Sequence, residues 1–371
     1  MNERNKLKQN KILRNITLAL LVIALVTAAA LATCIITVYF TQRAQEKAQA
    51  ESEDALVYIE NNQGAGRRNE ASILNASKQE QPDEPANTPP SSVTVDDFQI
   101  NDSLAVLDPG INIYSTSAVM IERESGRTVY SKEPMRSTYP ASLTKIMTAI
   151  VGLELCPDLN ATVHITDAML SGLLEADASV AGFLSGEEVQ YIDLFYGLML
   201  ASGADAANAI AISLCGSTDE FVICMNDMAL KLGMVSTNYT NVTGLHDVKM
   251  RTTATDIALL LDYALDNETF RNIITKQSYT TAATNMHENG LTVYGTMFSM
   301  LPQTEFDNGA VILGGKTGTT TPAGQCLASF ASLDGQEYIL VTLGAFGYGE
   351  GERYNISDAM TLYSLLTIPN N

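Results

Sequence analysis

The sequence predicts an α+β domain over residues 104–371, and three observations carry that expectation. Two short runs rich in β-branched and aromatic residues, 117–121 and 128–130, flank Ser125-Gly126 and read as two strands and a turn. Apolar residues then recur at helical spacing over 192–232 and 254–265. Three more strand-like runs, 310–313, 325–332 and 338–346, are parted by glycine-containing turns and followed by a helix over 357–366. Strands at both ends and helices between them predict one sheet built from the two ends of the domain. There is no internal repeat.

Ahead of this domain, residues 16–40 carry no charge and are long enough to cross a bilayer as a helix. Arg4, Lys6, Lys8, Lys11 and Arg14 precede them against one acid, Glu3. The positive-inside rule keeps residues 1–15 in the cytoplasm and sends the rest of the chain outside. Ala30-Leu31-Ala32 has the form of a cleavage site, so a removed signal peptide is the alternative. The apolar run goes on through Ile35, Ile36, Val38, Tyr39 and Phe40, which favours a retained, single-pass anchor. Residues 41–103 are rich in acids, Gln, Asn, Ser and Pro, the composition of an extracellular disordered stalk.

Composition excludes several classes of function. Net charge is −20, and the basic N-terminus leaves about −24 on the exterior part. That field repels nucleic acid. Cys156, Cys215, Cys224 and Cys326 form no Cys-x-x-Cys pair and sit in apolar surroundings, so free thiols are expected rather than a zinc site, with disulfides left open by the exterior location. His164, His246 and His287 are scattered without a metal-peptidase pattern, and only His246 is placed to serve a Ser-His-Asp triad. No metal and no cofactor is expected.

The domain is organised around Tyr139-Pro140-Ala141-Ser142-Leu143-Thr144-Lys145. Pro140 and Ala141 suit a first helical turn, and Ile146, Met147 and Ile150 continue a buried face. Ser142 and Lys145, three apart, then share one side. An amine there activates a serine hydroxyl once its own pKa is lowered. Two further segments complete a set: Ser202-Gly203-Ala204, 60 residues on, and Lys316-Thr317-Gly318-Thr319 at a strand end. Ser-x-x-Lys, Ser-Asp-Asn and Lys-Thr-Gly together mark penicillin-binding proteins and class A β-lactamases, and the order and spacing here fit that set.

With Tyr239-Thr240-Asn241-Val242-Thr243-Gly244-Leu245-His246-Asp247, Thr252-Thr253-Ala254-Thr255-Asp256 and Pro322-Ala323-Gly324, the chain resembles a low-molecular-mass penicillin-binding protein of the serine D-alanyl-D-alanine carboxypeptidase family. The likeness runs over about 114–366. It implies an antiparallel sheet packed with helices, plus a helical subdomain. It also implies removal of the terminal D-alanine from peptidoglycan stem peptides, and β-lactams as covalent inhibitors. By the same resemblance Ser142 is the acylated nucleophile and Lys145 its base, made neutral by burial and by the nearby charge of Lys316. Ser202 relays a proton between Lys145 and Lys316 to the departing D-alanine. Backbone N–H groups of Ser142 and Thr319, brought together at Gly318, form an oxyanion hole worth about 3 kcal/mol per donor. Thr317 and Arg353 hold the substrate's terminal carboxylate.

Two departures qualify the likeness. Ala204 stands where the family has Asn, which removes a donor and an acceptor from the substrate's peptide carbonyl. The chain also ends soon after its last helix, so the N-terminal anchor is expected to replace the extra β-domain and C-terminal membrane helix of many relatives. The rival readings are a membrane-anchored muropeptide-binding protein with a decayed site and a β-lactamase. The second lacks support, since residues 233–249 contain no Glu and Glu175 precedes Ser202.

Overall fold

The computed structural model describes residues 107–108, 110–346 and 351–367. The expected membrane span over 16–40 and stalk over 41–103 lie outside them. Two strands open the domain, β1 (Ser117–Glu122) and β2 (Thr128–Lys132). A 3-10 turn, Ala141–Leu143, leads into α1 (Thr144–Leu155). Next come β3 (Thr162–His164), α2 (Asp167–Leu170), β4 (Glu188–Gln190), α3 (Tyr191–Leu200), α4 (Ala204–Cys215) and α5 (Thr218–Lys231). Then follow α6 (Ala254–Asp266), α7 (Glu268–Ile274), β5 (Ser278–Thr280) and β6 (Thr292–Tyr294). Three long strands, β7 (Val311–Thr320), β8 (Gly324–Leu333) and β9 (Gln336–Ala345), precede α8 (Tyr354–Ser364).

The sheet runs β2-β1-β9-β8-β7, antiparallel throughout, with β1 paired to β9 from Ser117–Leu343 to Glu122–Tyr338. The first and last parts of the described domain therefore meet at the middle of the sheet. Successive strand residues point to opposite faces. Val119, Ile121, Phe330, Ile339 and Val341 join the core beneath α1 and α3–α7. Ala118, Met120, Leu327, Leu340 and Tyr338 face the other way, against Ile356, Ala359, Leu362 and Tyr363 of α8. The sheet is thus covered on both sides, and its strands read as near-continuous apolar runs instead of alternating ones.

The expected elements are present, with boundaries shifted. The run over 192–232 is three helices, broken where Ser202 adopts φ +58° and Gly216 φ +82°. The third from last strand reaches Thr320 rather than 313, because Gly314, Gly315 and Gly318 continue the ladder where apolar signal is absent. The hairpins β3–β4 and β5–β6 and the short helices α2 and α7 carry too few residues to show in hydrophobic periodicity. Among the described residues no single helix is long and apolar enough to cross a membrane.

One buried carboxylate fastens the entrance of the domain to its exit. Asp358 of α8 accepts the backbone N–H of Tyr114 and of Ser115, each at 2.8 Å, and the Ser115 hydroxyl at 2.5 Å. Asp358→Ala strands those donors, so we expect a loss of about 2–4 kcal/mol, read as a lowered denaturation midpoint.

Candidate functional site

Ser142 sits in the middle of the 3-10 turn, on a backbone under strain. Ala141, just before it, adopts φ +48°, a left-handed conformation that costs a β-carbon residue about 1–3 kcal/mol. Two glycines hold it there. A Cβ on Gly244, itself at φ +80°, would lie 2.0 Å from the Ala141 carbonyl oxygen. A Cβ on Gly318 would lie 2.9 Å from the Ser142 nitrogen. Only glycine lets the 240s loop and the edge strand β7 close on the turn from both sides. Asn241 shapes that loop: its Oδ1 accepts the N–H groups of Thr243 and Gly244 at 3.1 and 2.8 Å, and its Nδ2 donates to Leu245.

One helical turn beyond Ser142, Lys145 points into the gap. Its Nζ donates to the Ser142 hydroxyl at 3.3 Å and to the Thr243 carbonyl at 2.5 Å. From the other side Lys316 of β7 donates to the Ser202 hydroxyl at 2.9 Å and to the Thr317 carbonyl at 2.8 Å. Lys145 is 3 % exposed, Lys316 1 % and Ser202 5 %. Burial drives the Lys145 ammonium down from its ordinary 10.5 to about 7, against the opposing pull of Asp205. Lys316 is pushed well below the usual lysine value, first by burial and then by the charge of Lys145. Ser202, in the break between α3 and α4, is the second strained residue of the site, at φ +58°.

Asp205, which the sequence reading did not single out, organises the floor beneath Ser202. Its carboxylate accepts the N–H groups of Ala181, Gly182 and Phe183 at 2.8–3.1 Å, strapping the 179–183 segment across the start of α4. The Ala204 N–H donates to the Ser179 carbonyl at 2.8 Å, and Ala204 is 1 % exposed. A longer side chain there has to displace packed neighbours. Asn208 does not substitute for the absent amide, since its Nδ2 is committed to the Met169 carbonyl at 2.9 Å.

Thr317 is buried on β7, its hydroxyl 3.1 Å from that of Thr296, while Thr319 is exposed at the strand end. Arg353 stands outside the buried cluster, exposed at the start of α8. Its segment is nevertheless tied to the end of β7. Gln325, the register partner of Thr319, donates to the Glu352 carbonyl at 2.9 Å and accepts the Asn355 N–H at 3.3 Å. His246 is exposed and edge-on to Tyr139, with ring centroids 4.7 Å apart. Cys156, Cys215, Cys224 and Cys326 are free thiols.

Sequence reasoning gave the 239–247 and 252–256 stretches a packing role. Thr253 fits it, capping α6 through the Asp256 N–H at 3.1 Å. The 240s loop does more, since it brings both the Thr243 carbonyl to Lys145 and Gly244 to Ala141. A glycine after an Asn-rich turn was the available signal.

A family model described as D-alanyl-D-alanine carboxypeptidase matches residues 103–347. The chain is 32% identical over 234 residues to the D-alanyl-D-alanine carboxypeptidase DacF of Bacillus subtilis, covering 62% of this chain and 57% of that protein. It is 31% identical over 246 residues to DacC of Escherichia coli, covering 61% and 56%. It thus spans somewhat over half the length of these two relatives. The crystal structure of the Streptomyces K15 DD-transpeptidase superposes with a TM-score of 0.60 at 29% identity, over 68% of this chain and 97% of that one.

The contact between Gly244 and Ala141 predicts an outcome. Gly244→Ala should both lower stability by about 2 kcal/mol or more and remove most of the activity, because the added methyl meets backbone oxygen. Unfolding curves and Ser142 labelling of the same preparation measure both effects.

Proposed function

The chain belongs to the D-alanyl-D-alanine carboxypeptidase family, and we propose that it removes the terminal D-alanine from peptidoglycan stem peptides through an acyl-enzyme on Ser142. The observation that carries this reading is a serine hydroxyl 3.3 Å from a lysine that is 3 % exposed, and whose ammonium burial pushes down to about 7. Neutral Lys145 takes the Ser142 proton as Oγ attacks the penultimate carbonyl carbon. The developing oxyanion is met by the N–H groups of Ser142 and Thr319. Ser202, bonded to Lys316, passes a proton to the departing amine. The terminal carboxylate is held by the Thr317 hydroxyl, with Arg353 beyond it. Water then releases the shortened peptide and restores Ser142. A β-lactam follows the same first step and stays as the acyl-enzyme.

The same proposal places the catalytic domain outside the cell, held by 16–40 as a single-pass anchor and spaced from the membrane by 41–103. The uncharged run and its basic N-terminal flank support that arrangement.

Time-resolved intact-mass analysis with penicillin, repeated across pH, tests the reading. We expect one adduct, on the peptide carrying Ser142, and none in Ser142→Ala. Since the base is the unprotonated amine, acylation should climb through about pH 7, from about a tenth of its plateau one unit below to about nine tenths one unit above. Lys145→Met should lose the rise along with most of the rate. An adduct elsewhere, or a rate insensitive to pH between 6 and 8, would overturn the assignment. Product analysis with a diacyl-D-Ala-D-Ala peptide separates the hydrolase from a silent binder.

A further inference from the structure

Thr296 has no place in the mechanism above, yet it is pinned beside it. The residue lies just past β6, in the turn that leads back toward β7. Its N–H donates to the carbonyl of Leu200, two positions before Ser202, at 3.1 Å. Its own carbonyl accepts the Ser299 hydroxyl at 2.9 Å. With the backbone fixed on both sides, its hydroxyl stands 3.1 Å from that of Thr317.

We propose that Thr296 is a positioning residue that turns the Thr317 hydroxyl hydrogen toward the substrate's terminal carboxylate, an inference that rests on the carboxypeptidase reading. A hydroxyl has one hydrogen to donate and two lone pairs that accept. If Thr317 donated to Thr296, its hydrogen would be spent and only lone pairs would face the anion. When Thr296 donates, the Thr317 hydrogen is free for the carboxylate, and the accepted bond polarises it further. A carboxylate therefore selects the second arrangement, which Thr296 makes available. Thr296 has no part in the proton transfers, so its effect is confined to substrates that end in a carboxylate.

The test compares two substrates with the same acyl part: an acyl-D-Ala-D-Ala peptide, and the matching acyl-D-alanine ethyl thioester, which has no terminal carboxylate. Thr296→Val should lower kcat/KM on the peptide by about five- to tenfold, mostly through KM. Turnover of the thioester should stay within about twofold, which also shows that the variant is folded. Thr296→Ser, which keeps the hydroxyl, should restore the peptide activity. Equal loss on both substrates would make Thr296 a structural prop and overturn the inference. So would no loss on either, or no recovery in Thr296→Ser. A parent enzyme that cleaves neither substrate overturns the carboxypeptidase reading, and this role with it.

Discussion

The site depends on the burial of two lysines a short distance apart, one on a helix and one on an edge strand. Water is denied to both ammonium groups, and the one carboxylate that acts on Lys145, Asp205, does not offset the loss. The resulting depression of Lys145 from 10.5 to about 7 corresponds to a penalty on the order of 5 kcal/mol when the amine is protonated in the fold. Its sign follows from proton counts. Between those values the unfolded chain binds the extra proton, so stability rises with pH there and the penalty is constant below about 7. In the proposed mechanism that cost serves the chemistry, because a serine hydroxyl needs a neutral amine beside it.

Strain and close packing around Ser142 serve the same end. Ala141 and Ser202 both hold positive φ, the first directly before Ser142 and the second in the break between α3 and α4. Gly244 and Gly318 close on the first of them, so the turn cannot relax without moving the 240s loop or β7. The sheet supplies the rigid backing. β7 is tied across β8 and β9 to β1, and Asp358 locks the start of the domain to α8 behind it. The turn ahead of α1 carries Ser142, and the break between α3 and α4 carries Ser202, which Lys316 of β7 reaches at 2.9 Å.

Much of this was legible in the sequence. The spacing of Ser142, Lys145, Ser202 and Lys316 names residues that the fold joins as two hydrogen-bonded pairs, Ser142 with Lys145 and Ser202 with Lys316, because short polar motifs at element ends survive without reference to tertiary detail. The α+β order and the sheet built from both ends of the domain were also readable, since 117–121, 325–332 and 338–346 are apolar runs bounded by turns. What escaped was set by packing. Asp205 looks like an ordinary helix-start acid until the 179–183 strap is seen on it. Thr296 gives no periodic signal, and the 240s loop reads as a turn until its carbonyl is found on Lys145. Glycines within 311–320 hid the length of β7 for the same reason: they serve close approach rather than apolar burial.

The claim on which all of this turns is that burial, within the fold, makes Lys145 a base near neutral pH. Protein carrying lysine labelled with carbon-13 at Cε permits a direct reading by NMR, with the Lys145 signal assigned by its disappearance in Lys145→Arg. A titration midpoint near 7 for that signal, restored to the ordinary lysine range on unfolding, is the predicted result. A Lys145 that titrates with the exposed lysines, near 10.5, would contradict it.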